Sequence, residues 1–212
     1  MSVKPSPPWM CAAIFDTSLR KPVTSAEIEE DKDLFIDAMR RNDEGQPLPA
    51  ERFPKVFYWK QTDRKVERLP DFFSANGFWV VSGAVTKIMR QFEMGENGHY
   101  PTRFVQRDRV TPIAGTYFCL NFGAHKASFR PDESRNVADP IDHHQGYQVW
   151  RPPLPTKNDD LALDATALEG PDLWMEAPTL KETFFLSGAL VAALKAAKLT
   201  RQMRLRRCRI VE

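Results

Sequence analysis

The feature that most constrains the fold is an apolar run that leads through a serine into a helix, and it occurs twice in the chain. The first copy covers residues 78–85 and the second covers residues 183–190, so they align without a gap at an offset of 105 residues (183 − 78). Each apolar run is typical of a buried strand, and each helix that follows has its apolar residues on one face. We therefore predict a strand–serine cap–helix–strand repeat over residues 78–105 and 183–211.

The serines of the two copies, Ser82 and Ser187, are predicted to be structural N-caps. A serine hydroxyl at this position accepts a hydrogen bond from a backbone N–H two or three residues later. A nucleophilic serine on a strand–helix turn is typically found in a G-x-S-x-G motif, which neither copy contains. Because strand–cap–helix is a common local pattern, coincidence is the alternative to an internal duplication.

The remaining pattern predicts an α+β fold with a mixed, mostly antiparallel sheet and a few helices. The predicted helices cover residues 26–41, 83–92 and 188–198. The main predicted strands cover residues 55–60, 78–81, 100–105, 115–122, 147–150, 184–186 and 203–211. We predict a single domain over residues 1–212, with an N-terminal helical extension (1–50), a first repeat half (51–125) and a second repeat half (145–212).

Charge and cysteine content exclude several classes of protein. The net charge is +2, from 30 basic and 28 acidic residues, so bulk charge favours neither nucleic-acid nor membrane binding. Three cysteines lie far apart without a C-x-x-C motif, which argues against a disulfide framework or a thiolate zinc site. The longest apolar stretch near the C-terminus, residues 184–194, is too short to span a bilayer. We predict a cytoplasmic protein with reduced thiols and no cofactor.

One segment contains the residues that a metal or acid–base site would require. Carboxylates at Asp139 and Asp142 precede two histidines, His143 and His144. Carboxylate and imidazole can hold a divalent ion, but adjacent histidines point in different directions on regular secondary structure. A solvated loop is the preferred interpretation, and an enzyme or a metal- or nucleotide-binding protein that uses this segment is the alternative.

The C-terminal segment is locally basic. Its arginines include Arg204, Arg206, Arg207 and Arg209, with no acidic residue before Glu212. They could bind phosphate or an acidic face of a partner protein, or they could protect an edge strand from pairing with another chain. The apolar residues change parity within the segment, which predicts a bulge near residues 206–207.

Several aromatic and capping motifs resemble a known family. The stretches are residues 53–59, residues 69–73 with 78–82, and residues 170–174 with 184–190. Over residues 52–210 the chain resembles the eleventh immunity-protein family of bacterial polymorphic toxin systems. The resemblance implies a small cytosolic protein that binds and neutralises a cognate toxin, and it supplies no catalytic residues. We therefore expect a non-catalytic protein-binding protein.

Overall fold

The computed structural model of the chain describes residues 6–61, 65–142, 146–176, 178–180 and 183–212. The α-helices in these ranges are α1 (Ala26–Glu30), α2 (Lys32–Asp43), α3 (Gly83–Met89) and α4 (Gly188–Ala196). Short 3-10 helices cover Ala12–Phe15, Thr17–Leu19, Ala50–Arg52 and Ala165–Leu168. The strands are β1 (Trp9–Cys11), β2 (Arg20–Lys21), β3 (Val23–Ser25), β4 (Val56–Trp59), β5 (Phe72–Ala75), β6 (Phe78–Ser82), β7 (Gly98–Val105), β8 (Tyr117–Asn121), β9 (Ile141–Asp142), β10 (Gln148–Val149), β11 (Ala162–Leu163), β12 (Leu173–Met175), β13 (Phe184–Leu186), β14 (Leu205–Arg207) and β15 (Arg209–Ile210). None of the helices in the described part of the chain combines the length and the apolar character that crossing a lipid bilayer requires.

The first sheet contains seven strands in the order β2-β5-β6-β8-β7-β4-β3. Its two edge strands follow each other in the chain with only Pro22 between them. In a flat sheet these edges would lie roughly 29 Å apart, at six spacings of ~4.8 Å. Lys21 and Val23 are separated by about 7 Å at most, because one residue links them. The sheet therefore curves until its edges meet, and Pro22 suits the junction because it has no N–H that needs a partner.

The second sheet closes in the same way. Its strands β12-β13-β1-β14 continue through Cys208 into β15, which pairs in parallel with β11. Phe129 forms an antiparallel bridge to β11, and His125 forms a parallel bridge to β12. Residues 125–129 therefore close the second sheet as residues 20–25 close the first, with one parallel and one antiparallel neighbour.

The two sheets have the same strand order and the same strand directions. The order is β4-β7-β8-β6-β5 in the first sheet and β11-β15/β14-β1-β13-β12 in the second, and in both the first pair is parallel and the others are antiparallel. The register also agrees, since Val56 lies opposite Arg103 and Ala162 lies opposite Arg209. Helices α3 and α4 follow β6 and β13. The repeat that the sequence predicts for two short segments therefore extends over both sheets.

The two sheets exchange a strand. β8 comes directly before the segment that closes the second sheet, residues 125–129, but it pairs between β6 and β7 of the first sheet. β1 precedes the strands of the first sheet but pairs between β13 and β14 of the second. The segment predicted as an N-terminal helical extension, residues 1–50, contains α1 and α2 but also supplies β1 to the second sheet and β2 and β3 to the first. The Met10 side chain has no exposed surface, because β1 is an interior strand of the second sheet.

The hydrophobic core has three parts. The outer faces of β5, β6 and β8 meet those of β12, β13 and β1, with α3 and α4 packed against them. Phe184 lies at the centre of this contact, with its ring 4.8 Å from that of Phe122 and 6.0 Å from that of Trp79. The other two parts fill the interiors of the two closed sheets, around Phe104 in the first and Trp174 in the second.

Two predicted elements differ from the structure for local reasons. The helix predicted over residues 26–41 begins at the predicted cap, since the Ser25 hydroxyl accepts a hydrogen bond from the Ile28 N–H at 3.5 Å. It divides at Asp31, whose carboxylate accepts from the Leu34 N–H and begins a second helix. The strand predicted over residues 203–211 divides into β14 and β15. Its change of parity marks the point where the chain leaves β1 and joins β11, not a bulge near residues 206–207.

Candidate functional site

Ser82 and Ser187 lie at the N-caps of α3 and α4. Each hydroxyl accepts a hydrogen bond from the N–H three residues later, at 3.4 Å for Ser82 and 3.1 Å for Ser187. Their own N–H groups donate to the carbonyls of Asp71 and Asp172, both at 2.9 Å. The matching bonds give both serines the same structural role.

The carboxylate–histidine segment lies at the surface where it is described. Asp139 and Asp142 are both exposed, and Asp142 accepts a long hydrogen bond of 3.4 Å from the Gln148 amide. His143 and His144 lie outside the described residues. Within the described ranges, no three side chains of His, Cys, Asp or Glu converge on one point.

The C-terminal arginines bind other parts of the same chain. The Arg204 guanidinium lies 2.8 Å from the Asp16 carboxylate, next to the strand that enters the first sheet. Arg206 donates from Nε to the carbonyl oxygen of Thr156 at 2.7 Å. Both contacts attach the C-terminal strands to loops of the protein itself.

The next two arginines are used in the same way. Arg207 forms a two-point ion pair with Asp159 and holds the pKa of that carboxyl below its ordinary value through hydrogen bonding and charge. Arg209 donates to the carbonyl oxygens of Asp159 and Glu133. All four guanidinium groups thus have acceptors within the chain, and a role of this segment in binding a partner stays a prediction.

The thiols are buried and unreactive in this fold. Cys11, Cys119 and Cys208 are all less than 3% exposed, and burial raises the pKa of each thiol far above its ordinary value. A cysteine nucleophile or redox sensor instead requires an accessible thiolate. These side chains therefore act as core residues.

Glu176 is the most unusual buried group, and its role is structural. Its carboxylate accepts hydrogen bonds from the N–H groups of Ser128 and Phe129, from the Ser128 hydroxyl and from the Trp174 indole N–H. Burial raises its pKa, while these bonds oppose the rise. The two N–H groups lie where the second sheet closes, the position that Pro22 occupies in the first. In the second sheet the Glu176 carboxylate therefore accepts from these N–H groups, whereas in the first sheet Pro22 has no N–H that needs an acceptor.

The outer face of β3, β4 and β7 is the part of the first sheet that the second sheet does not cover. On β7, Arg103 points outward between the buried side chains of Thr102 and Phe104. On β4, Val56 and Tyr58 point outward and are half-buried. An outward face that carries valine, tyrosine and arginine differs from the polar surface expected on a solvated sheet.

The loop that follows β7 is held rigid by its own hydrogen bonds. The Asp108 carboxylate accepts from the N–H groups of Val110 and Thr111 at 2.9 and 2.8 Å, and the Gln106 N–H donates to the Thr111 carbonyl at 2.7 Å. The hydrogen bond from the Thr111 hydroxyl, together with those from the Val110 and Thr111 N–H groups, lowers the pKa of Asp108. Val110 is nevertheless 79% exposed at the tip. The loop therefore presents an apolar side chain to solvent on a fixed backbone.

Arg109 connects this loop to the sheet. Its backbone has φ of +62°, a conformation that costs energy for a residue with a side chain. The guanidinium lies 4.6 Å from the centre of the Tyr58 ring and 2.9 Å from the Glu29 carboxylate. The ring and the ion pair fix the arginine over the sheet.

We call this surface the open face and define it by the following residues: Val56, Tyr58, Pro101, Arg103, Arg107, Arg109 and Val110. Exposed lysines at positions 55, 60 and 65 surround it. The nearby carboxylates of Glu27, Glu29 and Asp108 accept hydrogen bonds from other residues of the chain. Arginine and tyrosine beside apolar side chains are the typical anchors of protein–protein interfaces.

Sequence reasoning missed the open face, although the alternation of β7 indicates that Arg103 points away from the core. The sequence does not show which outward-facing residues the second sheet covers, because this depends on contacts between residues that lie far apart in the chain. Comparison with known proteins provides no further guide: no family model matches the chain, and no curated protein matches it.

Proposed function

We propose that this protein acts by stoichiometric binding of another protein, without turnover, and that it is an immunity-type inhibitor of a bacterial toxin. The observation that carries the binding proposal is Val110, exposed at the tip of a loop that Asp108 holds rigid. The assignment to toxin neutralisation is supported by the resemblance of the aromatic and capping motifs to the immunity-protein family.

The rigidity of the open face favours tight binding. A partner that docks on a preformed loop does not have to order it, so less conformational entropy is lost on association. Arg109 is also held in place before binding, by Tyr58 and Glu29. A stable inhibitor complex buries roughly 1,200–2,000 Å² in total, and a few anchors supply most of its free energy. The open face has the composition of such a centre.

The proposal is tested with the toxin domain encoded beside the gene of this protein. Co-expression is expected to restore growth, and the two proteins are expected to co-purify at equimolar ratio. Val110→Asp places a charge at the centre of the interface and should raise the dissociation constant by about 30-fold or more, the effect of losing an anchor of ~2 kcal/mol. Calorimetry of the purified proteins measures the change.

Ile141→Asp provides the matched control, because Ile141 is 54% exposed on β9, outside the open face. This variant should bind and protect like the wild type. Equal loss of binding in both variants, or unchanged protection by Val110→Asp, would contradict the role of the open face. Absence of any complex together with turnover of a small substrate would contradict the binding function itself.

A further inference from the structure

We propose that the open face recognises an acidic segment of its protein partner, and that this segment supplies oxygen acceptors to the guanidinium of Arg103. The proposal rests on the proposed function, because it identifies the chemistry of the partner at the same surface. It depends on a comparison that the molecule itself provides, since the second sheet contains an arginine at the equivalent position.

Arg103 and Arg209 are equivalent by register. Each lies opposite an outward-facing residue of its parallel neighbour, Val56 in the first sheet and Ala162 in the second. Each also donates its backbone N–H, at 2.9 Å, to the carbonyl oxygen of the residue that comes immediately before this opposite residue in the chain. The backbone environments therefore match, and a difference between the two guanidinium groups reflects what covers them.

In the second sheet the arginine is covered by the chain itself. The Arg209 guanidinium donates to the carbonyl oxygens of Asp159 and Glu133. Glu133 belongs to the turn that follows the closing segment and lies against β11, where the Ser134 hydroxyl accepts from the Ala162 N–H at 2.9 Å. A turn that offers oxygen acceptors thus fills the surface beside this arginine.

In the first sheet the corresponding turn is α1, and none of its carboxylates bonds to Arg103. Glu27 accepts from the Lys55 N–H at 3.0 Å, and Glu29 binds Arg109. Among the described residues, the Arg103 side chain has no hydrogen-bond or ion-pair partner. An outward guanidinium on a half-apolar face therefore lacks the acceptors that its counterpart has.

Charge identifies the partner as acidic. Arg103 and Arg107 are exposed and unpaired within the described ranges, and lysines 55, 60 and 65 add to the positive potential. Complementary charge steers association and fixes the register of a complex. The half-buried Val56 and the exposed Val110 favour an acidic polypeptide with apolar side chains over a nucleic-acid backbone, which offers phosphates but no aliphatic groups.

The probe is a fluorescein-labelled ten-residue peptide that alternates aspartate and leucine. Its control is the same peptide with asparagine in place of aspartate. Fluorescence polarisation at about 50 mM salt, where surface charges are weakly screened, should show the acidic peptide binding about tenfold or more tightly than the amide peptide. Arg103→Glu should weaken binding of the acidic peptide by about tenfold or more, while Arg201→Glu, the same charge change at an exposed position after α4, should leave it within about twofold.

Three outcomes would overturn the inference: equal affinity for the two peptides, equal effects of the two arginine variants, or tighter Arg103-dependent binding of a single-stranded oligonucleotide. Thermal unfolding of each variant checks that the fold is intact. The outcome is independent of the toxin experiment. A protein that protects cells through Val110 but ignores the acidic peptide retains the proposed function and loses only this inference.

Discussion

Glu176 shows what a single residue contributes to this fold. Glu176→Ala is expected to lower the free energy of unfolding by ~3 kcal/mol or more, because three N–H donors in a buried site lose their acceptor. The donors are the backbone N–H groups of Ser128 and Phe129 and the indole N–H of Trp174. Urea denaturation measures the change.

Glu169→Ala is the control, since Glu169 is exposed near β12 and its loss should change stability by about 0.5 kcal/mol at most. Equal stability of the two variants would show that other groups or water satisfy the donors. The sequence does not reveal this role. Glu176 lies 48 residues from Ser128 in the chain, so sequence alone does not bring them together. A glutamate at the end of an apolar strand is also normally expected to point into solvent.

At the scale of secondary-structure elements, the two caps provide the most direct prediction. Ser82→Ala and Ser187→Ala should each destabilise the protein by ~1 kcal/mol, because the N–H of Val85 or Leu190 loses its acceptor at the helix start. Ser187→Thr keeps a hydroxyl at the cap and should recover most of the loss. Thermal unfolding of the three variants tests this, and equal destabilisation by alanine and threonine would exclude the hydroxyl as the cause.

Elements were predicted well where their signal is local. The strand–serine–helix segments need only a few neighbouring residues to be recognised, and β6, α3, β13 and α4 begin close to the predicted positions. The C-terminal strand was misjudged because its division depends on a change of neighbour from β1 to β11. Arg103 of the open face was missed for a related reason. The alternation of β7 gives its direction, but only the packing of the two sheets shows that this side remains uncovered.

For the whole molecule, the exchanged strands predict that neither half folds alone. A cut between Arg109 and Val110, at an exposed loop tip, separates fragment 1–109, which lacks β8, from fragment 110–212, which lacks β1. Each fragment misses a strand from the middle of a closed sheet, so its neighbours lose both hydrogen bonds and core side chains. Circular dichroism should show two unfolded fragments that regain structure when mixed.

The uncut chain, unfolded and refolded under the same conditions, provides the control for the refolding yield. A fragment 110–212 that folds cooperatively by itself would contradict the prediction. The prediction of a single domain over residues 1–212 depends on the same experiment. The repeat was visible in the sequence, but the exchange was not, because β1 is only three residues long and its partners lie at the other end of the chain.

The position of β1 also affects how the protein is made. A ribosome adds roughly 5–20 residues per second, so about 10–40 seconds separate the synthesis of β1 from that of β14. The first sheet has all its strands once β8 has left the ribosome, but the second must wait for nearly the last residues described. During this interval Trp9 and Met10 remain without the strands that bury them. Until β13 and β14 have been synthesised, β1 is therefore an apolar segment that chaperones would have to protect.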